Sequence, residues 1–283
     1  MRKLFVCIAL GLTTLTGNAA SPLWMRDVQI SPDGTEIAFC YKGDIYKVSA
    51  GGGTAIQLTT QPSYECTPIW SPDSKQIAFA SDRNGNFDIF VMPATGGTAQ
   101  RLTTHSSSEL PSAFTPDGKY ILFSASIQDP SQSALFPTTA MTELYKVPVN
   151  GGRTEQVLGT PAEAVCYAPS GEFFLYQDRK GFEDEWRKHH TSSITRDVWL
   201  YDASTGKHTN LTNHAGEDRN PVLSPDGKSV YLLSERKGSF NVYSFPLDNA
   251  QDLKAVTSFK THPVRFLSMS HGGTLCYAYD GEI

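Results

Sequence analysis

The chain of 283 residues carries 24 Lys and Arg against 29 Asp and Glu, a net charge of −5, with 39% hydrophobic and 11% aromatic residues. That is the balance of a globular protein with ample apolar material for a core, and it excludes a disordered or collagen-like chain. Net negative charge with no block of Lys and Arg offers a phosphate backbone little to bind, which sets nucleic-acid recognition aside.

The first predicted element is an address. Arg2 and Lys3 precede the apolar run Leu4 to Leu12, and small residues follow at Gly17, Ala19 and Ala20. A basic start, an apolar stretch shorter than a membrane span and small residues at a cleavage point predict a secretory signal peptide over residues 1–20. Its removal leaves 22 basic against 29 acidic residues, an acidic exported protein whose expected compartment is the periplasm. Export permits disulfides. Cys40, Cys66, Cys166 and Cys276 each sit in an apolar or aromatic neighbourhood, which reads as buried thiols while leaving a bridge open. No CxxC pair or Cys/His spacing points to zinc.

From Ser21 to Ile283 the chain repeats. The turn Ser31-Pro32-Asp33-Gly34 returns as Ser71-Pro72-Asp73-Ser74, Thr115-Pro116-Asp117-Gly118 and Ser224-Pro225-Asp226-Gly227, with degenerate copies at Ala168-Pro169-Ser170-Gly171 and Ser270-His271-Gly272-Gly273. Pro presets φ, Asp bonds its own backbone and Gly accepts φ > 0, so each copy is a turn between two strands. A short apolar strand precedes each turn, as in Thr67-Pro68-Ile69-Trp70, and a second follows, as in Gln76-Ile77-Ala78-Phe79. A third strand is read at Asp44-Ile45-Tyr46, Asp88-Ile89-Phe90, Glu143-Leu144-Tyr145, Asp197-Val198-Trp199 and Asn241-Val242-Tyr243. A nearly constant spacing then leads through a glycine-bearing turn to Leu58-Thr59, Leu102-Thr103, Val157, Leu211-Thr212 and Val256. A fixed spacing means a fixed hairpin, and the repeat length is that of a four-stranded propeller blade.

The expected fold is therefore an all-β propeller of six four-stranded blades with the sixth truncated, its blade cores starting near residues 26, 66, 110, 164, 220 and 264 in a single domain over 21–283. The sixth copy ends at Asp280-Gly281-Glu282-Ile283, which aligns with the middle of the first blade. The chain is thus expected to be the N-terminal part of something larger. Insertions between the second and third strands, Ser126 to Thr142 and Gln177 to Thr195, are expected as long loops on one face.

These residues resemble the PD-type, WD-like repeat of bacterial secreted propellers, which occurs in TolB-like proteins, prolyl-oligopeptidase-type peptidases and tricorn-type proteases. Pro22-Leu23-Trp24-Met25-Arg26, Phe87 to Pro93 and the stretch Tyr176 to His190 are similar to the N-terminal propeller of bacterial tricorn-type serine proteases. That resemblance implies a non-catalytic module that docks or filters peptides for a separate protease core, or supports homo-oligomer assembly. The core's nucleophilic Ser has no counterpart here. The alternatives implied are a stand-alone periplasmic interaction propeller similar to TolB, and the cap of a prolyl-oligopeptidase-type enzyme.

No HExxH or Gly-x-Ser-x-Gly motif occurs, so neither a metalloprotease nor a hydrolase site is legible. Asp82 to Asp88 alternates oxygen side chains, but its Gly is misplaced for a calcium loop and Pro93 stands where a bidentate Glu is needed; it reads as a hairpin turn. No cofactor or metal is expected, and His189-His190 point oppositely with no further ligand evident. The candidate contact surface is Phe182, Glu183, Asp184, Glu185, Trp186, Arg187, Lys188, His189 and His190. Its aromatics would supply area and its charges register for peptides or protein substrates, or for the remaining domains of a parent protease. The bland alternative for the same residues is a solvated or mutually paired loop.

Overall fold

The computed structural model describes residues 23–127, 141–182, 184–190 and 192–283. The innermost strands are β1 (Arg26–Ile30), β5 (Glu65–Trp70), β9 (Glu109–Phe114), β13 (Ala162–Tyr167), β17 (Asp218–Leu223) and β21 (Val264–Met269). Each runs into a Pro-Asp-Gly-type turn and returns as the second strand: β2 (Glu36–Tyr41), β6 (Gln76–Ser81), β10 (Tyr120–Ala125), β14 (Phe173–Asp178), β18 (Ser229–Ser234) and β22 (Leu275–Tyr279). Third strands are β3 (Asp44–Ser49), β7 (Asp88–Pro93), β11 (Glu143–Pro148), β15 (Val198–Asp202) and β19 (Asn241–Pro246). Short outer strands complete them: β4 (Ile56–Gln57), β8 (Gln100–Arg101), β12 (Glu155–Leu158), β16 (Lys207–Asn210) and β20 (Lys254–Ala255).

The sheets are antiparallel meanders, five with four strands and one, β21-β22, with two. The expected six-blade count is thus corrected to five blades. Beyond β22, residues 280–283 add only an isolated bridge, Tyr279 to Glu282, to the pairing. The two-stranded sheet nevertheless closes the ring, because β21 packs against β17 on one side and β1 on the other. Ile30 N donates to Ser268 Oγ (3.1 Å), Met25 N to the Gly281 carbonyl (3.0 Å) and His271 N to the Pro32 carbonyl (2.8 Å) across that seam.

The repeat residues do repeated work. In the turns, Ser31, Ser71, Thr115 and Ser224 donate their hydroxyls to Asp33, Asp73, Asp117 and Asp226 at 2.6–2.7 Å. The same hydroxyls accept the N–H that opens the second strand, from Glu36, Gln76, Tyr120 and Ser229. At the outer hairpin the hydroxyls of Thr59, Thr103 and Thr212 accept the N–H of Ile45, Ile89 and Val198, each at 2.9 Å. A Leu followed by Thr at a constant distance is therefore a packed side chain followed by a backbone acceptor. Between second and third strands, Phe39 stacks on Tyr46, Phe79 on Phe90 and Phe123 on Tyr145, with ring centroids 5.8–5.9 Å apart.

Every innermost strand also bulges. Asp27, Thr67, Ala164, Asn220 and Phe266 take φ between 48° and 58° at the same point of their strands, each at a shift of register with the second strand. In β9 that place belongs to Pro111, whose ring fixes φ near −65°, and the register shift there falls at Ser112. The bulge frees backbone donors for the neighbouring blade: Thr67 N donates to Asp27 (3.2 Å) and Asn220 N to Gln177 (2.9 Å).

A second device recurs on the face opposite the Pro-Asp-Gly turns. Glu65 and Asp218, buried at the start of β5 and β17, pair with an Arg two residues past the second strand, Arg83 (2.8 Å) and Arg236 (2.6 Å); Glu163, partly buried and one residue further along β13, pairs with Arg179 (2.9 Å). Blade three lacks it. Glu109 is buried, but Ile127 stands where the Arg belongs, and among the described residues one Glu109 carboxylate oxygen meets no donor. Burial, with Asp88 nearby, pushes the Glu109 carboxyl up to about 7, against the pull of Thr103 and Arg101.

Candidate functional site: a loop across the axis

The connection from β14 to β15 is the expected long loop, and it leaves its own blade. Lys180 anchors its start on Asp197 (2.7 Å), and Arg179 lies under Phe182, 5.5 Å from the ring centre. Asp184 accepts the N–H of Trp186 at 2.8 Å and its carbonyl accepts that of Arg187 at 3.2 Å, which turns the chain inward. Beyond that turn the loop crosses to blade five, to the two-stranded sheet and to blade one.

Arg187 carries the crossing. Its side chain is buried, binds Glu217 at 2.8 Å and Glu235 through both guanidinium ends, and packs over Phe240, 5.2 Å from the ring centre. Glu217 precedes β17 and also receives Arg196 (2.9 Å) and Arg219 (3.4 Å). Burial alone would raise the Glu217 pKa, but Arg219, Arg196 and Arg187 hold it below the ordinary carboxylate value. Conversely, burial opposes the charge on Arg187, and its bonds to Glu235 and Glu217 more than offset that, so its pKa is raised. Arg265 in β21 donates to the main-chain carbonyls of Glu185, Trp186 (2.9 Å) and Arg187 (3.1 Å), pinning the loop from the far side of the axis. Trp186 is then held between Arg26, 4.7 Å from its ring centre, and Arg265, 5.2 Å away, with Phe266 edge-on.

The expected contact residues therefore split. Arg187 is a buried anchor. Phe182, at 64% exposure, and Trp186, at 49%, keep apolar surface open to solvent. Glu185 is exposed and pairs with Arg196, Lys188 Nζ meets His262 Nδ1 at 3.1 Å, and the exposed His189 touches the Gly238 carbonyl at 3.5 Å. The exposed His190 offers its carbonyl to Arg187 at 2.7 Å. Glu183 and most of the other insertion, residues 128–140, lie outside the described residues. Glu217, Glu235, Arg196, Arg219 and Arg265 were not legible as partners of the loop. The available signal was Glu217-Asp218-Arg219, a run of three charged residues that no other innermost strand carries at its start.

Two concavities flank the crossing. One, of about 290 Å³, lies between Trp186 and the two-stranded sheet, walled by Trp24, Arg26, Lys188, His262, Arg265 and Asp280 among others. The other, of about 170 Å³, sits on the axis under Glu185 and Trp186, where Asp27, Thr67, Arg219, Asn220 and Phe266 reach in from four innermost strands. The loop thus roofs the axial bore on this face. The Pro-Asp-Gly face keeps an axial mouth of about 450 Å³ walled by Pro32, Pro72, Pro116, Pro169 and Pro225. Among the described residues no set of three or more His, Cys, Asp or Glu is arranged to hold a metal, all four cysteines are free thiols, and no helix is long and apolar enough to cross a membrane.

A family model described as the tricorn protease N-terminal beta propeller domain matches residues 22–283. The chain belongs to this family. Among solved structures, the tricorn protease superposes with a TM-score of 0.72 at 22% identity, covering 90% of this chain and 25% of that one. A protein titled putative TolB, from Agrobacterium tumefaciens, gives a TM-score of 0.69 at 18% identity and covers 89% and 88% of the two chains. At these identities the likeness is one of fold. An uncharacterized protein of Agrobacterium fabrum is 28% identical over 108 residues, 38% of this chain and 33% of that protein. The chain thus matches a third of that curated relative and a quarter of the tricorn protease.

Proposed function

We propose that this member of the tricorn N-terminal propeller family is an exported, non-catalytic module, and that its looped face docks peptides or a neighbouring protease domain. The observation that carries this is the loop from blade four, which roofs the axis while holding Phe182 and Trp186 out to solvent. A roofed bore favours docking on the face over threading through the ring. The Trp24 and Trp186 groove, ringed by Arg26, Lys188 and Arg265, suits an acidic segment with an apolar anchor: aromatics supply area at low entropic cost and the cations set register. The similarity to TolB over almost the whole of both chains supports a second reading, an interaction propeller that works without a peptidase.

The test uses the chain as it exists. Purified, it is expected to leave unstructured peptides uncut and to retain acidic, Trp- or Phe-bearing peptides from a random library; the Phe182→Ala, Trp186→Ala double variant should lose that retention. Robust turnover, or retention unchanged in the double variant, overturns the docking reading. A processing-peptidase core encoded in the same operon or reading frame would favour the protease module over the TolB-like alternative.

A further inference from the structure

We propose that the axial chamber under the loop is a binding site for a small carboxylate anion, held by Arg219 and Arg265. The inference stands apart from peptide docking on the outer face and rests on how the chamber's charges are partnered.

Arg219 is 6% exposed, lies 4.1 Å over the Phe240 ring and, among the described residues, makes one hydrogen bond, to Glu217 at 3.4 Å. Glu217 is already engaged more closely by Arg187 (2.8 Å) and Arg196 (2.9 Å). Among the described residues the buried Nε of Arg219 meets no acceptor. Among the described residues Arg265 is hydrogen-bonded to three main-chain carbonyls and to no carboxylate, with Asp184 and Glu185 near enough to favour its charge. Arg219 and Arg265 thus line the chamber with one direct carboxylate contact between them among the described residues, the 3.4 Å bond from Arg219 to a Glu217 already held by two other arginines. The cost is visible in both: burial and then the neighbouring cations depress Arg265 to about 10, and burial likewise lowers Arg219. A buried cation short of acceptors is satisfied by an anion entering beside it.

The remaining walls fit that occupant. Thr67, Gln177 and Asn220 supply neutral polar groups, and Phe266 and Trp186 supply apolar cover. A volume of about 170 Å³ admits an ion of a few heavy atoms and excludes a folded peptide. Two acids also line the chamber: Asp27, which accepts the Thr67 N–H (3.2 Å), and Glu185, which pairs with Arg196 (2.9 Å). Burial, with Glu185 nearby, raises the Asp27 pKa, against the pull of its bond from Thr67. The forked geometry of guanidinium favours carboxylate, which can take two parallel N–H bonds.

Malonate is the probe. At constant ionic strength set with NaCl, titration is expected to raise Tm saturably, by about 3–5 °C once malonate reaches roughly ten times its Kd. Asn220→Asp places a carboxylate in the chamber and preserves the left-handed backbone that Asn and Asp both tolerate. That variant should melt higher than the parent without malonate and lose at least tenfold in malonate affinity. Arg219→Gln should also lose the response, and its melting curve reports whether it folds. A malonate effect no larger than that of NaCl, or an unchanged effect in Asn220→Asp, overturns the proposal. Inorganic phosphate run in parallel separates the anion classes: a stronger phosphate response refutes the carboxylate assignment.

Discussion

Blade three lacks the acid and arginine clamp of its neighbours, and the consequence for stability is calculable. Glu109 is 1% exposed, and its carboxyl is pushed from the usual 4.5 to about 7. At about 1.4 kcal/mol per pH unit, ionising it in place costs about 3 kcal/mol, which solvent screening at the edge of the blade reduces to about 2. Because the folded chain holds this proton more tightly than the unfolded one, the group's stability contribution is complete below pH 4.5 and is lost as pH rises through 7. Glu109→Gln removes the charge and keeps the shape. At pH 8 the variant should be about 2 kcal/mol more stable than the parent, a Tm gain of roughly 4–8 °C for a chain of this size; at pH 4.5 the two should melt together. Scanning calorimetry of both proteins from pH 4.5 to 8.5 reads the difference. A gap independent of pH, or a Gln variant less stable at pH 8, refutes the reasoning and means that Glu109 has a partner for its charge.

Other expectations follow from the same contacts. Arg187→Met keeps the stem over Phe240 but takes from Glu235 its ion-pair partner and from Glu217 one of three arginines; it should cost about 3 kcal/mol in urea denaturation and expose Lys188 to trypsin. Unchanged stability and cleavage rate would mean that Arg265 and the loop's other contacts hold it without Arg187. In the Pro-Asp-Gly turns the hydroxyl and main-chain N–H bonds hold Asp33, Asp73, Asp117 and Asp226 below their usual value of 3.8. Their stabilisation is present above pH 3.8 and is lost as pH falls through the lower folded values, so acid unfolding should begin below pH 4. Replacing all four with Asn should flatten that acid limb in a far-ultraviolet circular dichroism titration; an unaltered limb would assign it to other carboxylates.

Much of this fold is written locally. Ser31 and Asp33 are two residues apart and bond each other directly, and Ile45 meets Thr59 through a hairpin whose length hardly varies. Such contacts leave a period in the sequence, which is why strands and turns could be placed from it. The loop's attachments leave none. Arg187 reaches Glu235 across 48 residues and Arg265 reaches Trp186 across 79, so charges that look like a solvated surface are partners only once the ring has closed. The blade count differs for a related reason: the sixth turn copy, Ser270 to Gly273, marks the two-stranded hairpin β21-β22 packed between β17 and β1, and not a four-stranded blade.

The bulges of the innermost strands make the bore addressable. Asp27, Thr67, Pro111, Ala164, Asn220 and Phe266 occupy one level of the ring, one residue per strand, and the scaffold asks of each only that its backbone tolerate the bend. An acid, a hydroxyl, an imino ring, a methyl, an amide and a phenyl already share that level. Like the tumblers of a lock, they set different chemistries at one level of the ring while the turns and hairpins behind them stay the same, and Asp27, Thr67, Asn220 and Phe266 bring theirs to the chamber.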